Sequence, residues 1–93
     1  MSHAVKLMAV DDNETNLDIL EESLEDAYSL QLVSSGSECL SKLEKNEPNI
    51  ILLDVNMPNM NGYETCEKIK ADPKTSDIPV IFVSALNSLD ERM

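Results

Sequence analysis

Polar residues with chemical potential stand where apolar segments end. Asp11 and Asp12 close the run Leu7-Met8-Ala9-Val10, Asp54 closes Ile50-Ile51-Leu52-Leu53, and Ser84 closes Val80-Ile81-Phe82-Val83. Singly, each reads as a helix cap or a turn residue. Jointly they point to metal and phosphate chemistry. Three carboxylates gathered in one place raise one another's pKa values and resist ionisation, and no basic residue is adjacent in sequence to neutralise them. A hard divalent cation removes that penalty, and an oxygen-only ligand set suits Mg²⁺. A carboxylate beside such an ion is a competent nucleophile toward phosphorus, forming an acyl phosphate. Ser84 could donate a hydrogen bond to a phosphoryl oxygen and change rotamer once that oxygen is present.

These residues converge only if the apolar runs are neighbouring strands. The first run, Val5–Val10, is followed by Leu17, Leu20, Leu24 and Ala27 at helical spacing. Asn13 or Asp12 is available to cap that helix, and Glu14 and Asp18 suit its dipole. The second run, Tyr28–Val33, partly alternates and suits an edge strand. Ser35-Gly36-Ser37-Glu38 has the form of a capping box. It opens a short helix with Leu40 and Leu43 inward, stopped before Pro48. Ile50–Leu53 is continuous and aliphatic, as a strand buried on both faces requires. A loop punctuated by Pro58 and Gly62 follows. A helix is then predicted from about Tyr63 to Ala71, with Tyr63, Cys66 and Ile69 on one side, ended by Asp72-Pro73. Val80–Val83 carries Pro79 at its start, where a strand tolerates proline. Ser88-Leu89-Asp90-Glu91 repeats the capping-box form and opens a further helix. This alternation predicts an α/β fold, a doubly wound parallel sheet with helices on both faces. Sites in such sheets lie beyond the carboxyl ends of the strands.

At 93 residues the chain has room for one domain. Asp and Glu number 18 against 7 Lys and Arg, a formal net charge of −11. That balance argues against direct contact with nucleic acid or an anionic membrane surface, and favours a divalent cation or a basic partner. Cys39 and Cys66 lack CxxC spacing, and the single His3 cannot complete a zinc site. Both cysteines are expected as cytoplasmic thiols, and His3 is given no role. No apolar run is long enough to span a membrane, and no signal peptide is visible. The expected location is the cytoplasm.

With V-D-D-N, I-L-L-D-V-N-M-P-N-M-N-G and V-I-F-V-S-A in that order, the sequence resembles the receiver domains of two-component response regulators over residues 5–93. The D-x-x-M-P-x-M-x-G stretch is the most specific part. The resemblance implies a flavodoxin-like fold and a phosphoryl group taken onto Asp54 from a sensor histidine kinase or phosphotransfer protein. It implies Mg²⁺ held by Asp12 directly, by Asp11 directly or through water, by Asp54, and by the backbone carbonyl of Asn56. Ser84 would be the switch hydroxyl and Ala85 a neighbour of the phosphate site. Met57-Pro58 and Gly62 would shape the loop after Asp54.

The sequence also departs from the family pattern. The family's fifth strand, ending in a Lys-Pro whose lysine contacts the phosphate, has no counterpart here, nor does its fifth helix. Lys74 follows a helix and cannot supply that lysine. The expectation is therefore an incomplete receiver over residues 1–93, strand order 2-1-3-4, ending as a fourth helix starts. A homo-oligomer through the uncovered fourth-strand edge or sheet face is expected with it. The role expected is phosphorelay acceptor rather than turnover enzyme. Two other readings compete. A haloacid-dehalogenase-like phosphatase would need a second Asp two residues after Asp54, where Asn56 stands. A receiver that cannot be phosphorylated would act as an interaction or dimerisation domain alone.

Overall fold

The structure, a computed structural model, describes residues 5–83. Its elements run β1 (Lys6–Val10), α1 (Glu14–Leu24), β2 (Ser29–Val33), α2 (Gly36–Leu43), β3 (Ile50–Asp54), α3 (Gly62–Ala71) and β4 (Val80–Val83). All strand pairs are parallel, in the order β2-β1-β3-β4. The sheet order and doubly wound class match the expectation. The expected helix opened by Ser88 lies outside the described residues.

Alternation along the central strand divides the interior. Met8 and Val10 face a larger core with Val33, Ile51, Leu53, and with Cys39, Leu43 and Ile69 from α2 and α3. Leu7 and Ala9 point the other way, toward Leu17 and the half-buried Leu20, Leu24 and Leu52. A period of two therefore assigns α1 to one face and α2 with α3 to the other. Aliphatic side chains make up most of both layers, with Met8, Cys39 and Met57 in the larger and the half-buried Tyr28 in the smaller.

The helix starts follow capping chemistry. Asn13, rather than Asp12, caps α1, its side chain accepting from the backbone N–H groups of Thr15 and Asn16. Ser35 caps α2 and accepts from the Glu38 N–H, but the Glu38 carboxylate bonds Ser34 instead of closing the box on Ser35. A complete capping box occurs at α3, between Asn61 and Glu64, at the start of a helix for which the sequence had suggested no cap. Cys39 and Cys66 are free thiols. Burial pushes the Cys39 thiol up to about 12, so it packs as an inert small hydrophobe.

Two inward positions differ from expectation. Ala27 lies past the end of α1, in an exposed turn. Tyr63 is 58% exposed, its ring 4.9 Å from that of Phe82. The buried face of α3 is instead Gly62, Thr65 and Ile69. The cause is the tight approach of the helix start to β3. An added Cβ at Gly62 would collide with the Asp54 carbonyl oxygen, so this side of α3 must lie against the sheet.

The connection from α3 to β4 is fixed by polar contacts. The Lys70 ammonium donates to the carbonyls of Ser76 (3.0 Å) and Ile78 (2.6 Å), and the buried Thr75 hydroxyl donates to the Ile69 carbonyl (2.6 Å). Among the described residues no helix is long and apolar enough to cross a membrane. Lys70→Met, which keeps the stem and removes the donor, is expected to lower stability by about 1 kcal/mol. Urea unfolding measures it, and an unchanged midpoint would show that water replaces the clamp without loss.

Candidate functional site: an acidic pocket at the strand ends

Parallel pairing puts the ends of β1 and β3 level. Val10 lies beside Leu53, so Asp11 follows at the height of Asp54, and Asp54 is beside Val83 of β4. The Asp11 N–H donates to the Val33 carbonyl at 3.1 Å, which carries the order of the sheet one residue past β1. Asp11 and Asp54 are buried, at 5% and 4% exposure, whereas Asp12 is exposed. One carboxylate oxygen from each of the three lies within 4.8 Å of the others. The structure thus brings together the acidic residues singled out in the sequence. Ser84 and Ala85 lie outside the described residues.

The three carboxylates have unequal environments. Asp11 is held through both oxygens. Its Oδ1 accepts from the Asn13 N–H at 2.9 Å and its Oδ2 from the Asn16 side-chain amide at 3.1 Å. Asp54 Oδ1 is buried with no hydrogen-bond partner among the described residues. Burial is the main reason that the Asp54 carboxyl is pushed up to about 6, and the negative charge of Asp11 adds to it. The backbone N–H group of Asn56 acts in the opposite sense, the charge of Asp12 raises it further, and the Val55 N–H lowers it. An orphaned buried oxygen beside two acids is an unfavourable arrangement for a folded protein. A divalent cation would satisfy the orphan and offset the repulsion together. The donor set, three carboxylates, has the hardness that Mg²⁺ selects.

The loop after Asp54 is short and tightly folded. The Gly62 N–H donates to the Val55 carbonyl at 2.9 Å, and Met60 N–H reaches the Pro58 carbonyl at 2.7 Å. Asn59 has a left-handed backbone, φ 69°, which asparagine tolerates better than most residues. Met57 is buried in the larger core, pinning the loop's middle, while Pro58 and Asn56 stay exposed. Asn56 therefore stands two residues beyond Asp54 in a loop anchored at both ends.

Sequence reasoning missed Asn16, which supports Asp11, and Thr65, whose hydroxyl donates to the Asn61 carbonyl at the start of α3. The spacing Asp11-x-Asn13-x-x-Asn16 was a usable signal. A cap residue and a second amide one turn later must both lie near the residue that precedes the helix.

A parallel β2-β1-β3-β4 sheet with an acidic cluster beyond its carboxyl ends is one shared by receiver domains. The family model of the response regulator receiver domain matches residues 7–93. Response regulator PleD of Caulobacter vibrioides is 37% identical over 91 residues, 97% of this chain and 20% of PleD. The chain thus spans about a fifth of that relative's length. Among solved structures, the N-terminal domain of a response regulator receiver protein from Methanoculleus marisnigri JR1 aligns with a TM-score of 0.82 at 34% identity. That alignment covers 94% of this chain and 76% of the other. The phosphorylated cyanobacterial phytochrome response regulator RcpA aligns with a TM-score of 0.81 at 30% identity, covering 96% and 71%. The chain belongs to the response regulator receiver domains, the phosphoacceptor modules of two-component signalling.

The raised Asp54 pKa has a defined consequence for stability. A carboxyl that holds its proton to higher pH when folded than when unfolded makes stability fall as pH rises between the two pKa values, here from about 4 to about 6. Above that window the cost is complete. Asp54→Asn, which removes the charge and keeps the shape, is expected to stabilise the metal-free protein near neutral pH by up to about 3 kcal/mol. The gain should shrink toward zero near pH ~4. Thermal melts in chelator over this range test it. A variant no more stable than wild type at neutral pH would contradict the strained-carboxylate reading.

Proposed function

We propose that Asp54 is the phosphoacceptor of this receiver and that a Mg²⁺ ion assists it, held by Asp11, Asp12, Asp54 and the backbone carbonyl of Asn56. The observation that carries this is the buried Asp54 Oδ1 beside Asp11, without a hydrogen-bond partner among the described residues. That oxygen has lone pairs free for a ligand and lies next to a charge that only a cation would offset. The donor is a phosphohistidine on a sensor histidine kinase or phosphotransfer protein. An Asp54 carboxylate oxygen attacks phosphorus, and the new P–O bond replaces the donor's P–N bond. The departing imidazole keeps the electron pair and takes up a proton. The cation, when bound, neutralises charge developing on the phosphoryl oxygens. Ser84 is proposed as the hydroxyl that senses the phosphoryl group, with Ala85 beside it. That RcpA is known in a phosphorylated form supports the reading.

The chain acts as an acceptor of one group in a relay rather than as a turnover enzyme. Its setting is proposed to be the cytoplasm, in keeping with free thiols and a charge of −11. Acetyl phosphate with Mg²⁺, followed by intact-mass measurement, is expected to add one phosphoryl group to wild type. It should add none to Asp54→Asn, and chelation should suppress labelling. Equal labelling of the variant would refute the assignment.

A second copy of the chain is the proposed partner of the β4 edge. Val80–Val83 carries no charge, and Ile81 and Phe82 are 50% and 41% exposed on opposite faces of the strand. Among the described residues β4 stands at the edge of the sheet, and an apolar edge of this kind is a template for pairing. The charge of −11 opposes association, and salt screens that repulsion. Sedimentation equilibrium of this chain is expected to detect self-association that grows with salt and is reduced by Phe82→Lys. A monomer at all salt concentrations would contradict it.

A further inference from the structure

The acidic pocket contains one side chain whose role neither capping nor core packing explains. Asn16 lies in the first turn of α1, half-buried, and its side-chain amide faces the carboxylate of Asp11. The orientation of that amide is fixed by chemistry. An ionised carboxylate only accepts hydrogen bonds, so the Nδ2 end must face it, at 3.1 Å.

The contact closes a ring built from three residues. Asp11 Oδ1 accepts from the Asn13 N–H. Asn13 Oδ1 in turn accepts from the N–H groups of Thr15 (2.9 Å) and Asn16 (3.2 Å), which sets the first turn of α1. That turn carries the Asn16 side chain back to Asp11 Oδ2. Both oxygens of Asp11 are thereby tied to one helix start, and the plane of the carboxylate is set by two bonds rather than one. The cap alone would leave Oδ2 untethered. Each oxygen still has a lone pair for a ligand or a ligand-bound water.

From this geometry we infer that Asn16 is a positioning residue: through its bond to Asp11 Oδ2 it orients that carboxylate for the divalent cation of the acidic pocket. The inference rests on the proposed metal site and deepens it. A carboxylate already locked in one orientation loses little rotamer freedom when a cation binds, whereas a free one must be ordered at that moment. Partners one step removed from the metal characteristically change affinity without touching the ion, by roughly 10–100-fold. Thr15 is the internal control. It stands one residue away on the same helix and is exposed, and only its backbone N–H, which donates to Asn13 Oδ1, adjoins the ring.

The test is a Mg²⁺ titration followed by pocket amide shifts and, independently, by calorimetry, on the full 93-residue chain. Asn16→Ala is expected to weaken Mg²⁺ by roughly tenfold, and Thr15→Ala to leave it unchanged. Alanine favours a helix at least as well as asparagine, so α1 is kept, and a melt confirms folding. A double-mutant cycle identifies the route of the effect. In an Asp11→Ala background, Asn16→Ala should cause no further loss, because the carboxylate it orients is gone. Unchanged Mg²⁺ affinity in Asn16→Ala would overturn the inference while leaving the metal site intact. An equal fold-loss with and without Asp11 would overturn it too, since Asn16 would then act by another path. Absence of Mg²⁺ binding in wild type would instead remove the proposed metal site, and this role of Asn16 with it.

Discussion

Electrostatic conflict among carboxylates is the constraint that organises this molecule. Three acids share a space 4.8 Å across, and two of them are buried. In bulk water such charges would separate and hydrate. Here the parallel sheet forbids separation, because the ends of β1 and β3 are level by hydrogen-bond register. Burial of Asp54 then makes its charge costly. The site is thus a place where the fold stores unfavourable energy, recoverable by a cation or by removal of charge.

The surrounding structure can be understood as what keeps that conflict in place. Met8, Ile51 and Leu53 are fully buried, so the strands that carry the acids cannot shift without disrupting the larger core. The Val33 carbonyl holds Asp11 from the β2 side, and Gly62 packs directly on the Asp54 carbonyl from the α3 side. At Gly62 the missing Cβ is the means by which helix and strand approach. The Asn61–Glu64 capping box then fixes where α3 begins, and Met57 ties the intervening loop to the interior. Polar groups are supplied in the same economical way. Asp11 receives bonds to both oxygens, while Asp54 Oδ1 has no hydrogen-bond partner among the described residues.

Much of this was legible in the sequence because the signals were physical necessities. A doubly covered parallel strand must be apolar throughout, and Ile50–Leu53 reads so without ambiguity. Acids at the ends of such runs are forced to one edge of the sheet, which made Asp11, Asp12 and Asp54 identifiable before any coordinates. Helix faces were harder. Tyr63, Cys66 and Ile69 share an apolar period, yet the period cannot report that Gly62 is drawn onto β3 and turns Tyr63 outward against Phe82. The Glu38 box differed by one residue because Ser34 offers both an N–H and a hydroxyl to the same carboxylate oxygen. Asn16 escaped notice because an asparagine on a polar helix face looks like solvent-facing surface until the orientation of Asp11 is known. Ser84 and Ala85 stay sequence assignments, since they lie outside the described residues.

The central claim is that Asp54 is held at an elevated pKa by burial and by Asp11, and that a divalent cation relieves this. The most direct measurement is a carboxyl-carbon NMR titration of Asp54, carried out in chelator and again in saturating Mg²⁺. A midpoint near 6 in chelator, falling by more than about one unit with Mg²⁺, is the result expected. A midpoint near the ordinary aspartate value of about 4 under both conditions would show that the pocket is neither strained nor a cation seat.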